Sequence, residues 1–564
     1  MVLKSNTNYF DAIVVGSGMS GGWAAKELTE NGLKTLVLER GRSITHIKDY
    51  PTTHKAKWEF DYRQELSLKT KEEYPKQQSV YAFSESTKHF FVKDNEHPYT
   101  NDEDKPFMWR RGYHTGGKSI LWARQSYRLS EIDFEANLKD GHGVDWPVRY
   151  NDIAPWYDYV EKYIGISGQK EGLRQLPDGE FLPPMAMNCV EEHFRDAVKE
   201  KLGHVVTIGR CAHLTVPHNG RGPCQYRNMC ETGCPYSGYF SSVSVTIPDA
   251  QKTGNLTLKN HAIVHSVIYD KETGKAAGVR VIDENTKETT EYFAKVIFLC
   301  ASTVATTQIM LNSTSPDFPS GIANTSGVLG HYMMDHFITG NSANVDGFED
   351  GYYDGHRPNG FYIPRFHNVD SEHPSFVRGF GYQGGAFRQS WWRGSLEAGL
   401  GGAFKDELMK PGPWSMSFSG FGEILPYYEN HMRLNPDEID QWGMPLVHFS
   451  CELKENELQM LKEIHNSAGE MVDAAGFKDF WHEEQPIKWK FGDGIHEMGT
   501  ARMGRDPKTS VLNKWNACHD VPNLYVTDGS FMTSAGCQNP SLTYMAFTAR
   551  AANHAIEEMK KGNL

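Results

Sequence analysis

The sequence predicts an α/β protein: a dinucleotide-binding domain on a largely parallel sheet, interleaved with a second domain built on a large antiparallel sheet backed by helices. Three observations predict it. Residues 11–41 read as strand, glycine turn, helix and strand in immediate succession. A strand meander begins near residue 255 and leads to a further buried strand and a helix, as a returning parallel sheet requires. Between about 340 and 490, aromatics alternate with glycine and polar residues (GFYIPRF, GFGYQGGAF, WSMSFSGFGE) before a long helical stretch at 452–475.

In the first unit, the apolar run 12–15 breaks at Gly16-Ser17-Gly18-Met19-Ser20-Gly21. Trp23, Ala24 and Leu28 carry a helical pattern that Asn31-Gly32 closes, and a second apolar run, 35–38, ends at Glu39. This is the Rossmann fingerprint in its required context. Gly16 permits the tight turn, Gly18 lets backbone approach a pyrophosphate, and Gly21 lets the helix pack on the sheet. The helix N-terminus offers free N–H groups and partial positive charge to phosphates. Glu39, with Arg40 beside it, stands where an acidic residue accepts the adenosine ribose hydroxyls. The fingerprint alone does not separate FAD from NAD.

Composition narrows the function. A formal net charge of −13 over 564 residues argues against nucleic acid, whose backbone is met by a basic face. No apolar run approaches the roughly 18 residues of a membrane span, and no basic-plus-apolar leader precedes the first strand, so no signal peptide is expected. Nine cysteines, an odd number spread through a large chain, are not a disulfide framework.

The next informative stretch is Arg110-Arg111-Gly112-Tyr113-His114-Thr115-Gly116-Gly117-Lys118-Ser119-Ile120-Leu121-Trp122. Paired glycines followed by a hydroxyl residue let backbone amides reach a phosphate or a flavin edge. Together with the first unit it resembles the second cofactor loop of the glucose–methanol–choline (GMC) oxidoreductases, in particular their sugar-oxidising bacterial and pyranose-oxidase branch. The resemblance implies FAD and cofactor contacts at Gly16, Gly18, Gly21, Glu39, Arg40, Gly116, Gly117 and Ser119. Some of these relatives carry, just before the tryptophan, a histidine that bonds covalently to the flavin; Leu121 stands there, so non-covalent FAD is expected.

Residues 131–168 contain a proline-punctuated turn and an amphipathic helix from about 153 to 163, with Asn151 or Asp152 as the expected N-cap. Cys224, Cys230 and Cys234 follow in a C-x5-C-x3-C loop rich in glycine and proline. Clustered thiolates bind soft metals; zinc wants a fourth ligand and lacks its paired CxxC spacing here, and inert thiols are the remaining reading. The loop resembles the one that holds a [3Fe–4S] cluster in bacterial FAD-dependent glucose, fructose and gluconate dehydrogenases. Cys211 is a possible fourth ligand; Cys189, Cys300, Cys451, Cys518 and Cys537 read as structural.

From Asn255 the run LTLKNHAIVHSVIYD, the turn at Lys271 to Lys275 and AAGVRVID form a hairpin in a three-stranded meander. By the family resemblance the backbone of Val264 passes the adenine. A strand at 296–301 and a helix at 302–311 follow. His336, at the end of the next loop, reads as a buried structural histidine. Trp391, Trp392, Trp414 and Tyr427 are candidate sugar-stacking residues in the aromatic region.

The C-terminal order HEMGTARMG from His496, VLN, NLYVTDGS from Asn523 and QNPSLT from Gln538, then a closing helix to about 560, matches the GMC pattern. An alcohol gives up hydride from carbon only as its hydroxyl proton leaves, so the site wants a base near neutral pKa, and imidazole fits. By the match that base is His496. Asn539 takes the family's second position, binding the same hydroxyl without shuttling its proton. By the same match Asp528 falls at the ribityl or pyrophosphate portion, Ser541 is a further cofactor contact, and the neighbouring helix aims its N-terminus at the flavin.

The resemblance implies FAD-binding segments at 1–45 and 236–340, and flavin-domain excursions with the second loop at 46–150. It places a substrate and cluster region at 151–235, a substrate-binding domain at 341–490 and a catalytic FAD-binding segment at 491–564. It implies oxidation of a secondary ring hydroxyl, at C3 of a glycoside. The alternatives are glucose at C1, gluconate at C2, or an oxidase using O2. Electrons would leave through a [3Fe–4S] cluster to cytochrome c or a similar acceptor. Relatives of this type work with a small subunit carrying the export signal, which implies the periplasm, with the cytoplasm as the alternative.

Overall fold

The computed structural model describes residues 8–348, 358–395, 397–484 and 488–564. The elements that position the site are, in order, β1 (Tyr9–Val15), α1 (Met19–Glu30), β2 (Thr35–Leu38), α2 (Tyr150–Ile164), β3 (Leu256–Lys259), β4 (Ala262–Asp270), β5 (Lys275–Asp283), β6 (Thr289–Leu299) and α3 (Thr303–Asn312). They continue with β7 (His336–Val345), β8 (Phe361–Ile363), β9 (Phe380–Arg388), β10 (Trp414–Glu423), α4 (Glu455–Ala475), β11 (Lys478–His482), β12 (Leu524–Val526) and α5 (Ser541–Lys560).

The first sheet runs β3-β2-β1-β6-β5-β4, with β12 on β6. Its parallel centre is covered on both faces, which is why Ala12 to Val15 and Thr35 to Leu38 are buried without alternation. The helices α1, α2 and α5 pack on one another over it. β6 joins the antiparallel and parallel parts of this one sheet: residues 289–293 close the antiparallel meander against β5, while 293–299 pair in parallel with β1, and 297–299 also with β12. The expected separate strand at 296–301 is therefore the second half of the meander's last strand. The LTLKNHAIVHSVIYD run also divides. His261 takes a left-handed backbone (φ 55°), so β3 leaves to pair with β2 at the sheet edge and the hairpin starts only at Ala262.

Two helix starts differ from expectation. α2 begins at Tyr150 and its N-cap is Arg149, not Asn151 or Asp152; Asp152 sits three residues on and accepts from the Arg149 amide at 2.8 Å. α4 begins at Glu455, where Glu457 accepts the Lys454 amide at 3.0 Å.

The second sheet is antiparallel throughout, in the order β11-β7-β10-β9-β8 and then the short strand Thr207–Ile208. Helices α4 and Cys189–Leu202 pack together behind it. Period-two alternation in β10 sends Trp414, Met416 and Phe418 into that core, and leaves Ser415, Ser417, Ser419 and Phe421 on the opposite face. Trp414 consequently has no access to a substrate: it is 2% exposed and donates its indole N–H to the Phe348 carbonyl at 3.0 Å.

The glycines of the first turn are held by backbone, not by flexible side chains. A Cβ on Gly21 would lie 2.0 Å from the Gly16 carbonyl oxygen, and one on Gly16 (φ 95°) 2.5 Å from that of Cys300. Gly21→Ala is expected to cost at least about 1–3 kcal/mol by overpacking and to yield protein short of FAD. A thermal melt and the flavin-to-protein absorbance ratio check this; a fully flavinated Gly21→Ala protein of unchanged stability would contradict it.

Candidate active site

One cavity of about 590 Å³ joins the two sheets. Gly16, Gly18, Glu39, Arg40, Gly117, Ser119, Leu121, Val264, His496, Asp528, Asn539 and Ser541 all line it. Residues named from opposite ends of the chain thus share one space. Gly21 packs beneath the turn and Gly116 behind the second loop, where its amide donates to Ser17 Oγ at 2.9 Å.

The end of the cavity nearest α1 is built to hold a polyanion beside a diol. Gly18 is the N-cap of α1 and Pro540 that of α5, neither with a side-chain cap bond, so both helices leave N–H groups unspent at the cavity. Glu39 is buried, accepts from the Gly41 amide at 3.0 Å and the Ser17 amide at 3.2 Å, and also takes the Ser17 hydroxyl. Burial pushes its carboxyl above the usual carboxylate range, against the pull of those bonds. The Arg40 guanidinium lies over the Tyr113 ring at 4.5 Å and the Trp442 ring at 5.0 Å. Gly117 and Gly18 face one another, with a Gly117 Cβ 3.7 Å from the Gly18 Cα. Asp528 accepts from the Ser530 amide and hydroxyl and from Thr306, and burial raises its carboxyl as well. Glu497, paired with Lys118 at 3.3 Å, keeps its Oε1 buried and without a partner among the described residues. Open helix ends, facing glycines, a buried diol acceptor and an orphaned carboxylate oxygen together fit FAD.

At the other end, the second sheet forms the roof through two cross-strand pairs, Gln383 with Ser419 and Ile338 with Phe421. None of the four is charged. His496 and Asn539 stand beneath them. The Gln383 amide donates to Asn539 Oδ1 at 2.5 Å, which turns the Asn539 NH2 group toward other acceptors. His496 Nδ1 lies 2.9 Å from His336 Nδ1. Burial first, then the neighbouring His336 and Lys118, hold the His496 imidazole well below the ordinary histidine range, so it is neutral at pH 7.

His336 is buried, as its sequence context implied, but it is no bystander: it is the partner of His496. Its signal in sequence was only a histidine beside Asp335. That carboxylate accepts four backbone amides, from His336 (2.8 Å), Gly492 (2.9 Å), His496 (3.0 Å) and Gly494 (3.2 Å), and so fastens both histidine backbones to one group. Gln383 was missed too. Three of the four proposed sugar-stacking aromatics do not reach the cavity: Trp414 faces the opposite core, Trp391 is 66% exposed outside it, and Tyr427 bonds to Glu457. The Trp392 side chain lies outside the described residues. Phe421 is the aromatic that the second sheet does contribute.

The cysteine loop packs against the second cofactor loop. One hydroxyl ties them, as Tyr239 donates to the Ile120 carbonyl at 2.6 Å and stands 3.1 Å from that of Cys230. Cys224 and Cys234 each accept a backbone amide, from Tyr226 (3.5 Å) and Gly238 (3.4 Å), and Cys230 Sγ lies 3.9 Å from His213 Nε2. Burial raises the Cys230 thiol to about 11, opposed by the Arg124 guanidinium. Three thiols, two of them with a backbone N–H aimed at sulfur, in a loop with left-handed residues at Tyr226, Asn228 and Ser237, are a donor set that would suit a cysteine-held iron–sulfur cluster. Cys211 is fully buried and directs its thiol at the Ala123 carbonyl (3.8 Å). Of the remaining cysteines, Cys300, Cys451, Cys518 and Cys537 are buried and Cys189 is intermediate.

Similar proteins agree with this architecture. The chain is 27% identical to 2-methyl-1,2-propanediol dehydrogenase of Mycolicibacterium austroafricanum, over 98% of this chain and 96% of that one. It is 26% identical to the fructose dehydrogenase large subunit of Gluconobacter japonicus, over 99% and 100%. Pyridoxine 4-oxidase from Mesorbium loti superposes with a TM-score of 0.59 at 16% identity, covering 96% of this chain and 98% of that one, and shares the fold. Residues 10–338 and 426–548 match the two models described as GMC oxidoreductase. The chain is a member of the GMC oxidoreductase family, an FAD-dependent oxidoreductase.

Proposed function

We propose that this protein oxidises a secondary ring hydroxyl of a neutral sugar, at C3 of a glycoside, to the keto sugar, and passes the electrons singly to an external acceptor. The observation that carries the reading is the placement of His496 and Asn539 beneath a roof without charge. A gluconate carboxylate would call for a cation there, and Ile338, Gln383, Ser419 and Phe421 offer none. Leu121 and Asn539 resemble the glucoside 3-dehydrogenase group at both positions, which favours C3.

In this reading α1 and its glycines hold the pyrophosphate, Glu39 the ribose, Arg40 and Val264 the adenine, and Gly116, Gly117, Ser119, Asp528 and Ser541 the flavin end. Leu121 has no nitrogen to link covalently to it. Bound FAD supplies the hydride acceptor, and a [3Fe–4S] cluster on Cys224, Cys230 and Cys234 a one-electron outlet. His496 takes the hydroxyl proton as the carbinol C–H bond is broken. Asn539, held by Gln383, donates to the same oxygen and fixes which carbon is presented. The roof sheds water from the reacting carbon through Ile338 and Phe421.

A large subunit among the relatives supports a partner chain; we further propose a small subunit that carries the export signal, a cytochrome c acceptor and a periplasmic site of action. Among the described residues no helix is long and apolar enough to cross a membrane. Methyl glucoside deuterated at C3 tests the regiochemistry. A primary isotope effect on anaerobic flavin reduction, with a 3-keto product, is expected; an effect only from deuterium at another ring carbon would move the reaction there.

A further inference from the structure

We infer that His336 sets the tautomer of His496, leaving the lone pair on Nε2 of His496 as the only basic nitrogen of the pair. The inference rests on the reading of His496 as the base and adds how that base is made ready.

Proton bookkeeping along three groups gives the assignment. His336 Nε2 lies 2.7 Å from the Gly536 carbonyl, which accepts only, so His336 Nε2 carries a proton. His336 is buried and kept neutral, its pKa drawn down to about 4 by that burial. A neutral imidazole protonated on Nε2 has a lone pair on Nδ1. The 2.9 Å contact between the two Nδ1 atoms then needs its proton from His496. With Nδ1 protonated and the ring neutral, His496 Nε2 is bare. The opposite assignment fails: a proton on Nδ1 of a neutral His336 would leave its Nε2 bare, 2.7 Å from the Gly536 carbonyl, two acceptors with no proton between them. Fixing a catalytic imidazole's tautomer by its second nitrogen is worth orders of magnitude in rate elsewhere.

The surroundings hold the arrangement. Asp335 pins both histidine backbones, Lys118, paired with Glu497 at 3.3 Å, acts on His496 from the second loop, and across the sheet from His336 stands Glu423, bound to Arg378 at 2.8 Å. His336 is thus a positioning residue.

Three variants separate this role from mere packing. In His336→Asn, Oδ1 stands near the place of Nδ1 and still accepts from His496; His336→Leu offers nothing; His336→Gln reaches toward Gly536 and leaves His496 without an acceptor. With FAD content equal, Asn is expected within about tenfold of the wild-type rate of anaerobic flavin reduction, while Leu and Gln are slower by about 10²–10³-fold, the lower part of the roughly 10²–10⁴-fold range for losing a base. Should Leu fail to fold, Gln carries the same contrast. Leu or Gln reacting at the wild-type rate, or Asn as slow as Leu, overturns the inference. A substrate-independent readout separates it from the proposed activity. In ¹⁵N-histidine-labelled protein, with His496 identified by its loss in His496→Ala, the expected proton is on Nδ1. A proton on Nε2 overturns the inference even if no sugar reduces the flavin.

Discussion

The His496→Ala protein is expected to bind FAD as the wild type does and to be reduced by substrate about 10²–10⁴-fold more slowly, the range for removing a general base. The geometry makes this the largest single effect on chemistry. His496 is the group at the substrate end of the cavity that is neutral, basic and within reach of the roof, and Asn539 beside it carries an amide that takes up no proton. Its removal leaves FAD contacts at the far end untouched, because none of Gly16, Gly18, Glu39 or Asp528 bonds to it. Stopped-flow anaerobic bleaching with flavin content measured in parallel checks the expectation. Equal bleaching rates would remove His496 from the mechanism.

Cys230→Ser is expected to separate the two halves of the reaction. Flavin reduction by substrate should proceed at the wild-type rate, while turnover with cytochrome c falls to background and iron and acid-labile sulfide are lost together. The reason is position: the Cys230 carbonyl and the cofactor loop's Ile120 carbonyl meet at one Tyr239 hydroxyl, so the thiol loop sits against the flavin end without entering the cavity. An iron-free wild-type protein that reduces cytochrome c would discard the cluster, and one that makes peroxide at full rate would also favour the oxidase reading.

The patterns written in contiguous residues are the ones the structure brings to one cavity: the glycine fingerprint, the second loop, and the segments that carry His496 and Asn539. Each is imposed by a turn or by a helix end. Where pairing is long-range, local pattern was silent. His336 lies 160 positions from His496, and Gln383 lies 156 from Asn539, so neither partner could be found by spacing. The aromatics show the same limit differently. The alternation of WSMSFSGF was legible as a strand, but which face met the cofactor was decided by α4 packing on the even-numbered residues, and that turned Trp414 away and Phe421 inward. At β3 and β4 the apolar pattern ran unbroken through His261, and only its left-handed backbone revealed two strands in place of one.

The most direct test of the account is anaerobic bleaching of the oxidised flavin band, expected near ~450 nm, with methyl glucoside, glucose and gluconate side by side. Methyl glucoside has C1 blocked. The account predicts that it bleaches the flavin and that gluconate does not, since the roof over His496 carries no cation to receive a carboxylate. Bleaching by gluconate alone, or by glucose alone, would contradict oxidation of a ring hydroxyl on a neutral glycoside.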